Sequence, residues 1–138
     1  MTKAYLITVG ILGFFGMIMS ALGAHVMYDN LNPNHLHAYD IAVQVLMFHT
    51  LALLAVAFMN RYVHRSYIKS IYFLFVFGVA FFSGTIFLTS TVELTKMSFG
   101  ALSKLTPVGG ILLMIGWLVV MWTGVTYEHH KRRHRSGE

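Results

Sequence analysis

An all-α integral membrane bundle of four transmembrane helices is the fold class this sequence predicts, on three observations. Four stretches carry no formal charge: Ala4 to Met27, Ile41 to Met59, Ile71 to Val92 and Leu105 to Thr126. Of the 138 residues only 11% are charged and 57% are hydrophobic, with a mean hydropathy of +0.66, where a soluble domain carries about 25% charged residues. A chain this short cannot hide so much apolar surface in a water-soluble core, because small domains have proportionally more surface to cover. The cations, finally, stand beside the ends of apolar runs: Arg61, Arg65 and Lys69 after the second, Lys131, Arg132, Arg133 and Arg135 after the fourth. Charge placed that way sets membrane topology rather than a nucleic-acid surface.

At about 1.5 Å per residue each run is long enough for a hydrocarbon core of about 30 Å. A bilayer offers the backbone no water, so each run must satisfy its amides internally as a helix. Helices are expected over 4–27, 41–59, 71–92 and 107–127, forming one domain over 1–138 with a basic cytoplasmic tail at 128–138. The first could be a cleaved leader, since Ala21-Leu22-Gly23 loosely resembles a processing site. Its apolar stretch exceeds the usual length of about 7–15 residues, however, and only Lys3 precedes it, so it is read as a retained span. Gly13, Gly16, Ser20 and Gly23 recur along it at spacings that keep one face small, the mark of a packing seam between membrane helices. Asp29-Asn30-Leu31-Asn32-Pro33-Asn34 packs turn formers into a connection over 28–40. Connections over 60–70 and 93–104 are likewise short, which favours up-down packing of neighbours.

On the third helix Ala80 and Gly84 form a small-xxx-small pair. Tyr72, Phe73, Phe75, Phe77, Phe81, Phe82 and Phe87 spread too far around it to face inward together, so several should touch lipid. The fourth is expected to open with Thr106 as N-cap and Pro107 at its first position, and to present Gly109, Gly116 and Thr123 every seven residues. Orientation follows from the cations. With the N-terminus inside, Lys3, Arg61, Arg65, Lys69 and the four tail residues are cytoplasmic, against Lys96 and Lys104 outside, so both termini are expected in the cytoplasm.

Polar residues at depth carry whatever chemistry the chain has. His49 sits near the centre of the second run, where an unpartnered ring would cost a few kcal/mol, so it should face the bundle interior and hydrogen-bond. Counted from the outer ends, Ser83 of the third helix lies at the same depth, about 12–14 Å down. Gly16 and Gly116 leave room for an imidazole there. The expectation is a midplane polar layer of His49, Ser83, Gly84, Gly16 and Gly116. Helix-to-helix glue is its plainest role; a proton or solute relay and haem ligation are the sharper alternatives. His25 differs from His49 in depth by about 12 Å, so one iron cannot bridge them. An outer polar cluster is expected from His25, Asp40, Gln44, Thr106, Gly109 and Gly110, with His35 and His37 nearby as weak candidate metal ligands.

The tail cations Lys131, Arg132, Arg133 and Arg135 suit anionic lipid headgroups. The chain has no cysteine, which excludes disulfides, Cys-based metal sites and a thiol nucleophile. No nucleophile–base pair, P-loop, zinc motif or dinucleotide fingerprint appears, which argues against an enzyme. The nine methionines read as pliable packing rather than copper ligands.

Gly23-Ala24-His25, Phe48-His49-Thr50-Leu51-Ala52-Leu53-Leu54, Phe82-Ser83-Gly84, Thr106-Pro107-Val108-Gly109-Gly110 and Gly116-Trp117 together resemble the YgdD/YwdK family of small bacterial inner-membrane proteins, which has a short mitochondrial transmembrane relative in animals. The resemblance covers nearly the whole chain. It implies a multi-pass protein of the bacterial inner membrane and brings no established reaction. Members often carry Gln or His three residues before the second-helix histidine, where this chain has Leu46, a departure that weakens a relay along the second helix. The functional expectation is therefore a structural or accessory bundle supporting the envelope or a larger complex, without a cofactor or metal. The lipid bilayer is its first partner, with a homo-oligomer or larger membrane complex as further association and no nucleic acid. Proton or small-solute transport through the His49/Ser83 layer, and haem or quinone association, are the alternatives.

Overall fold

The computed structural model describes residues 2–60, 62–97 and 99–135, with side chains through Thr126. Among these residues the chain is helical with no strand. Helix α1 runs Thr2–Asn30, α2 Pro33–Met59 and α3 Arg65–Ser90. A short α4, Val92–Thr95, ends on Lys96 in the left-handed region at φ 53°, and a 3₁₀ turn at Leu102–Lys104 leads into α5, Leu105–Arg135. The helices α1, α2 and α3 and the stretch Leu102–Thr126 are each long and apolar enough to cross a membrane. One π-helical turn interrupts α1 at Gly23–Met27 and one interrupts α3 at Ala80–Gly84.

Three helix starts differ from the sequence reading, because in each a cap or tight turn begins the helix ahead of the expected position. Most of 28–40, expected as a loop, is helical: α1 continues to Asn30, α2 begins at Pro33, and only Leu31 and Asn32 link them. Asn32 is extended and its side chain accepts from the His35 amide at 2.9 Å, while Pro33 occupies a position that needs no N–H. The Asn-Pro pair is thus a helix cap. Thr106, expected as the cap of the last helix, is instead already inside it, because the 3₁₀ turn carries the chain into the helix two residues earlier. The third helix likewise starts six residues before the expected Ile71, capped by His64, whose Nδ1 accepts from the Ser66 amide at 3.3 Å.

Packing is governed by glycines. A Cβ placed at Gly13 would lie 3.8 Å from Thr50, at Gly16 2.5 Å from the Met47 sulfur, and at Gly23 3.0 Å from the Tyr39 ring. These contacts climb α1 while descending α2, so the pair is antiparallel. Ser20, expected in the same seam, is exposed. α3 and α5 approach more closely still: Gly109 lies directly against the backbone of Gly78, Phe81 and Phe82, Leu113 covers Gly78, and the Phe75 ring fills the space at Gly116. The small-xxx-small pair does not contribute. Ala80 is exposed and a Cβ at Gly84 would meet nothing within 4 Å. Both belong to the π turn and lie on a side of α3 that meets no neighbouring helix.

Leu46 and Leu53 of α2 and Ile68, Ile71 and Phe75 of α3 form the buried centre. α1 and α5 flank it and turn Phe14, Met17, Met114, Leu118 and Trp122 outward, as helices bordered by lipid tails do.

Candidate functional site

His49 is buried, at 6% exposure, and both its ring nitrogens are occupied. Nδ1 lies 2.8 Å from the Val45 carbonyl one turn back on α2, and the Trp117 indole N–H of α5 donates to Nε2 at 3.0 Å. A carbonyl only accepts and an indole only donates, so the imidazole is the neutral tautomer with its proton on Nδ1. Three aromatic rings surround it: Phe75 edge-on at 5.1 Å, Phe48 at 5.5 Å and Trp117 at 6.0 Å. Phe75 and Trp117 also pack on each other at 5.3 Å. Gly116 makes this possible, since any side chain there would collide with the Phe75 ring.

The expected His49–Ser83 pairing is replaced by two separate contacts. Ser83 is buried and its hydroxyl donates to the Ala42 carbonyl at 2.8 Å. Ala42 is seven residues above His49, about 10 Å along the helix. The depths were matched from outer ends that α2 does not have, because that helix starts at Pro33. Of the expected layer, His49 and Gly116 share one level with Phe75 and Trp117. Gly16 faces Leu46 and Met47 just above it, while Ser83 and Gly84 belong to the next level out.

The outer polar cluster also separates. Thr106 hydrogen-bonds Thr85 across α3 and α5 at 2.6 Å, and Gly109 and Gly110 pack on Phe82 in the same interface. His25, Asp40 and Gln44 are exposed, with the Asp40 carboxylate flanking Gly23. No three His, Asp or Glu side chains among the described residues converge as a metal site. Lys131, Arg132, Arg133 and Arg135 have side chains outside the described residues.

Three features were not anticipated. Trp117 as the histidine's partner was hidden because α2 and α5 are far apart in the chain, although its adjacency to Gly116 was a signal. At the opposite end of α1, the Tyr5 hydroxyl donates to the Ile68 carbonyl and Thr8 bonds the Tyr72 hydroxyl, with the two tyrosine rings 4.8 Å apart. Glu93 of α4 clasps the start of α2: it accepts from the Asn32 amide at 2.9 Å and from the Asn32 carboxamide, and faces His35 Nδ1 at 3.3 Å. The Asn32 amide above all, then its carboxamide and the neighbouring imidazole, hold the Glu93 carboxyl below the usual glutamate range.

Comparison with known proteins places the chain among membrane proteins. Residues 19–110 match the family described as "Protein of unknown function (DUF423)". The chain is 30% identical over 122 residues to the UPF0382 inner membrane protein YgdD of Escherichia coli, covering 87% of this chain and 88% of that one. It is 30% identical over 122 residues to a UPF0382 membrane protein of Haemophilus influenzae, covering 86% and 90%. The Bacillus subtilis UPF0382 membrane protein YwdK is 25% identical over 126 residues, covering 91% and 98%. No solved structure matches the chain. With four spans of membrane length and a family match over two thirds of its residues, the chain belongs to the DUF423 family of membrane proteins.

Proposed function

We propose that this protein is a non-enzymatic, four-pass bundle of the bacterial inner membrane, in up-down order with both termini cytoplasmic, that serves as a structural or accessory element of the envelope or of a larger membrane complex. The observation that carries the reading is the closed hydrogen bonding of His49. A relay or a haem ligand needs a ring nitrogen free to exchange a proton or bind iron, and here Val45 and Trp117 take one nitrogen each. Within lipid such a pair does the work of holding helices together. The inner-membrane name of YgdD and the clustering of cations beside the inner ends of the spans support the placement. Contact between the cations of the 128–138 tail and anionic headgroups belongs to the same reading.

Purified protein reconstituted into vesicles, compared with His49→Ala and His49→Gln, tests it. Both variants should leave proton and solute flux at the level of empty liposomes, while His49→Ala loses thermal stability and His49→Gln, whose carboxamide can still accept from Trp117, recovers part of it. Flux above empty liposomes that vanishes in both variants while the fold persists would make the protein a transporter.

A further inference from the structure

We propose that the outward face of α2, centred on Gln44, is the seat of a second copy of this chain. Ala42, Leu46, His49 and Leu53 form the buried side of α2, whereas Ile41, Gln44, Phe48, Leu51, Ala55 and Phe58 are exposed. At 100° per residue Gln44 points directly away from the buried side, into what a bilayer fills with acyl chains. The hydrogen bonds that this stretch of α2 makes among the described residues involve Tyr39, Ala42, Val45 and Leu46; none reaches the Gln44 carboxamide. Gln44 stands five residues outward of His49, which lies at the centre of the apolar run, so it is about 7–8 Å from the midplane and about as far from the headgroups. Two methylenes cannot carry an amide that far to water. A polar side chain held in hydrocarbon faces a partner or bears the cost of having none.

The carboxamide itself selects the occupant. It is donor and acceptor at once, so two copies related by a two-fold axis along the membrane normal bring Gln44 opposite Gln44 at one depth and close two reciprocal hydrogen bonds. The next polar group on this face, exposed Asp40, stands one turn outward at the edge of the hydrocarbon, so within the apolar part of the stripe register between the copies is set at Gln44. The same stripe includes Phe48, which packs on Trp117 at 5.6 Å. A copy seated there would also cover the lipid-facing side of the His49 aromatic cluster.

Because the chain has no cysteine, introduced thiols report contacts unambiguously. Full-length protein carrying Ile41→Cys, Phe48→Cys or Leu51→Cys, all exposed on the Gln44 face of α2, with Phe14→Cys on α1 and Met114→Cys on α5 as exposed comparisons, would be oxidised in native membranes and in vesicles of phosphatidylethanolamine and phosphatidylglycerol. Covalent dimers are expected at the three α2 positions in both settings and not at the other two. With Ile41→Cys as reporter, Gln44→Leu should weaken association about tenfold, while Gln44→Asn retains most of it. Gln44 faces away from the packed interior, so in detergent at concentrations where the chain is monomeric both variants should keep the parent's thermal stability, and a drop there would place Gln44 inside the fold and overturn the assignment. No cross-link at positions 41 and 48 would also overturn it, as would equal cross-linking at 14 and 114, an unchanged yield in Gln44→Leu, or linkage only to a protein of different mass.

Discussion

Removing the indole N–H of Trp117 while keeping an aromatic ring is the most direct perturbation of the buried site. In Trp117→Phe the ring can still stack near Phe48 and Phe75, but Nε2 of His49 loses its donor at 3.0 Å and faces only phenyl rings. The single variant mixes this loss with the lost area of the larger ring, so the quantity to measure is the coupling in a cycle with His49→Leu. Interhelical hydrogen bonds in membrane proteins average about 0.6 kcal/mol in such cycles and reach about 1.7. Among rings that offer no replacement donor, this bond should fall in the upper part of that range, a five- to twentyfold effect on the unfolding equilibrium, roughly. Pulse proteolysis in mixed micelles reads it without relying on tryptophan fluorescence. A coupling below about 0.3 kcal/mol would refute the inference that this bond joins α2 to α5 energetically.

Gly109→Ala should destabilise by about 2 kcal/mol or more, because the new methyl would collide with backbone atoms of Phe82, Gly78 and Phe81 that cannot step aside; Gly10→Ala, with open space around it, should be neutral or gain up to about 1 kcal/mol in helix propensity, both read as shifts in thermal stability. Ser83→Ala should cost about 1 kcal/mol through the lost bond to Ala42 and should be additive with His49→Leu, whereas direct partners would couple. Folding holds the Glu93 carboxyl below its ordinary value of about 4.5, so the clasp on Asn32 contributes fully above that value and fades as pH falls through the lower folded one; Glu93→Gln should flatten this acid-side dependence of thermal stability, and an unchanged profile would show that the clasp does not act.

The four spans were legible because a bilayer imposes length and apolarity on each segment separately, so each run announces itself without knowledge of the others. Glycine contacts were half legible. Gly13, Gly16 and Gly23 lie on an unbroken α-helical face up to the π turn, and their spacing reads as a packing seam, although only their contacts with Thr50, Met47 and Tyr39 identify α2 as its partner. Ala80 and Gly84 form an equally small pair, but their side of α3 meets no neighbouring helix, and nothing in Ala-Phe-Phe-Ser-Gly says which side of that helix turns inward. His49 could be picked out as buried by depth alone. Its partner could not, since matching depths requires the true start of α2, and Asn32-Pro33 can be read equally as a turn or as a cap. What separated these readings was the Asn32 side chain accepting from the His35 amide, a contact that exists only once the helix has formed.

The register between α3 and α5 explains why Trp117 meets His49 at all. Gly78 of α3 receives Leu113 of α5, and Gly116 of α5 receives Phe75 of α3. Each helix thus contributes one large side chain and one gap, in reciprocal order. Sliding α5 by one turn would move both large residues off their gaps and onto side chains, an overlap that close-packed interiors do not absorb. Apolar packing therefore fixes the axial position of α5, and Trp117, next to Gly116, is delivered to the level of Phe75 and hence of His49. Polar bonding in turn fixes what packing leaves free: rotation of α5 about its axis would withdraw the indole N–H from Nε2 while keeping much of the van der Waals contact. On this division of labour Trp117→Phe should loosen the rotational order of α5 without separating it from α3, whereas Gly116→Val should drive the two helices apart. Disulfide trapping between Thr85→Cys and Thr106→Cys, whose hydroxyls lie 2.6 Å apart across the same two helices, should survive the first change and fail in the second.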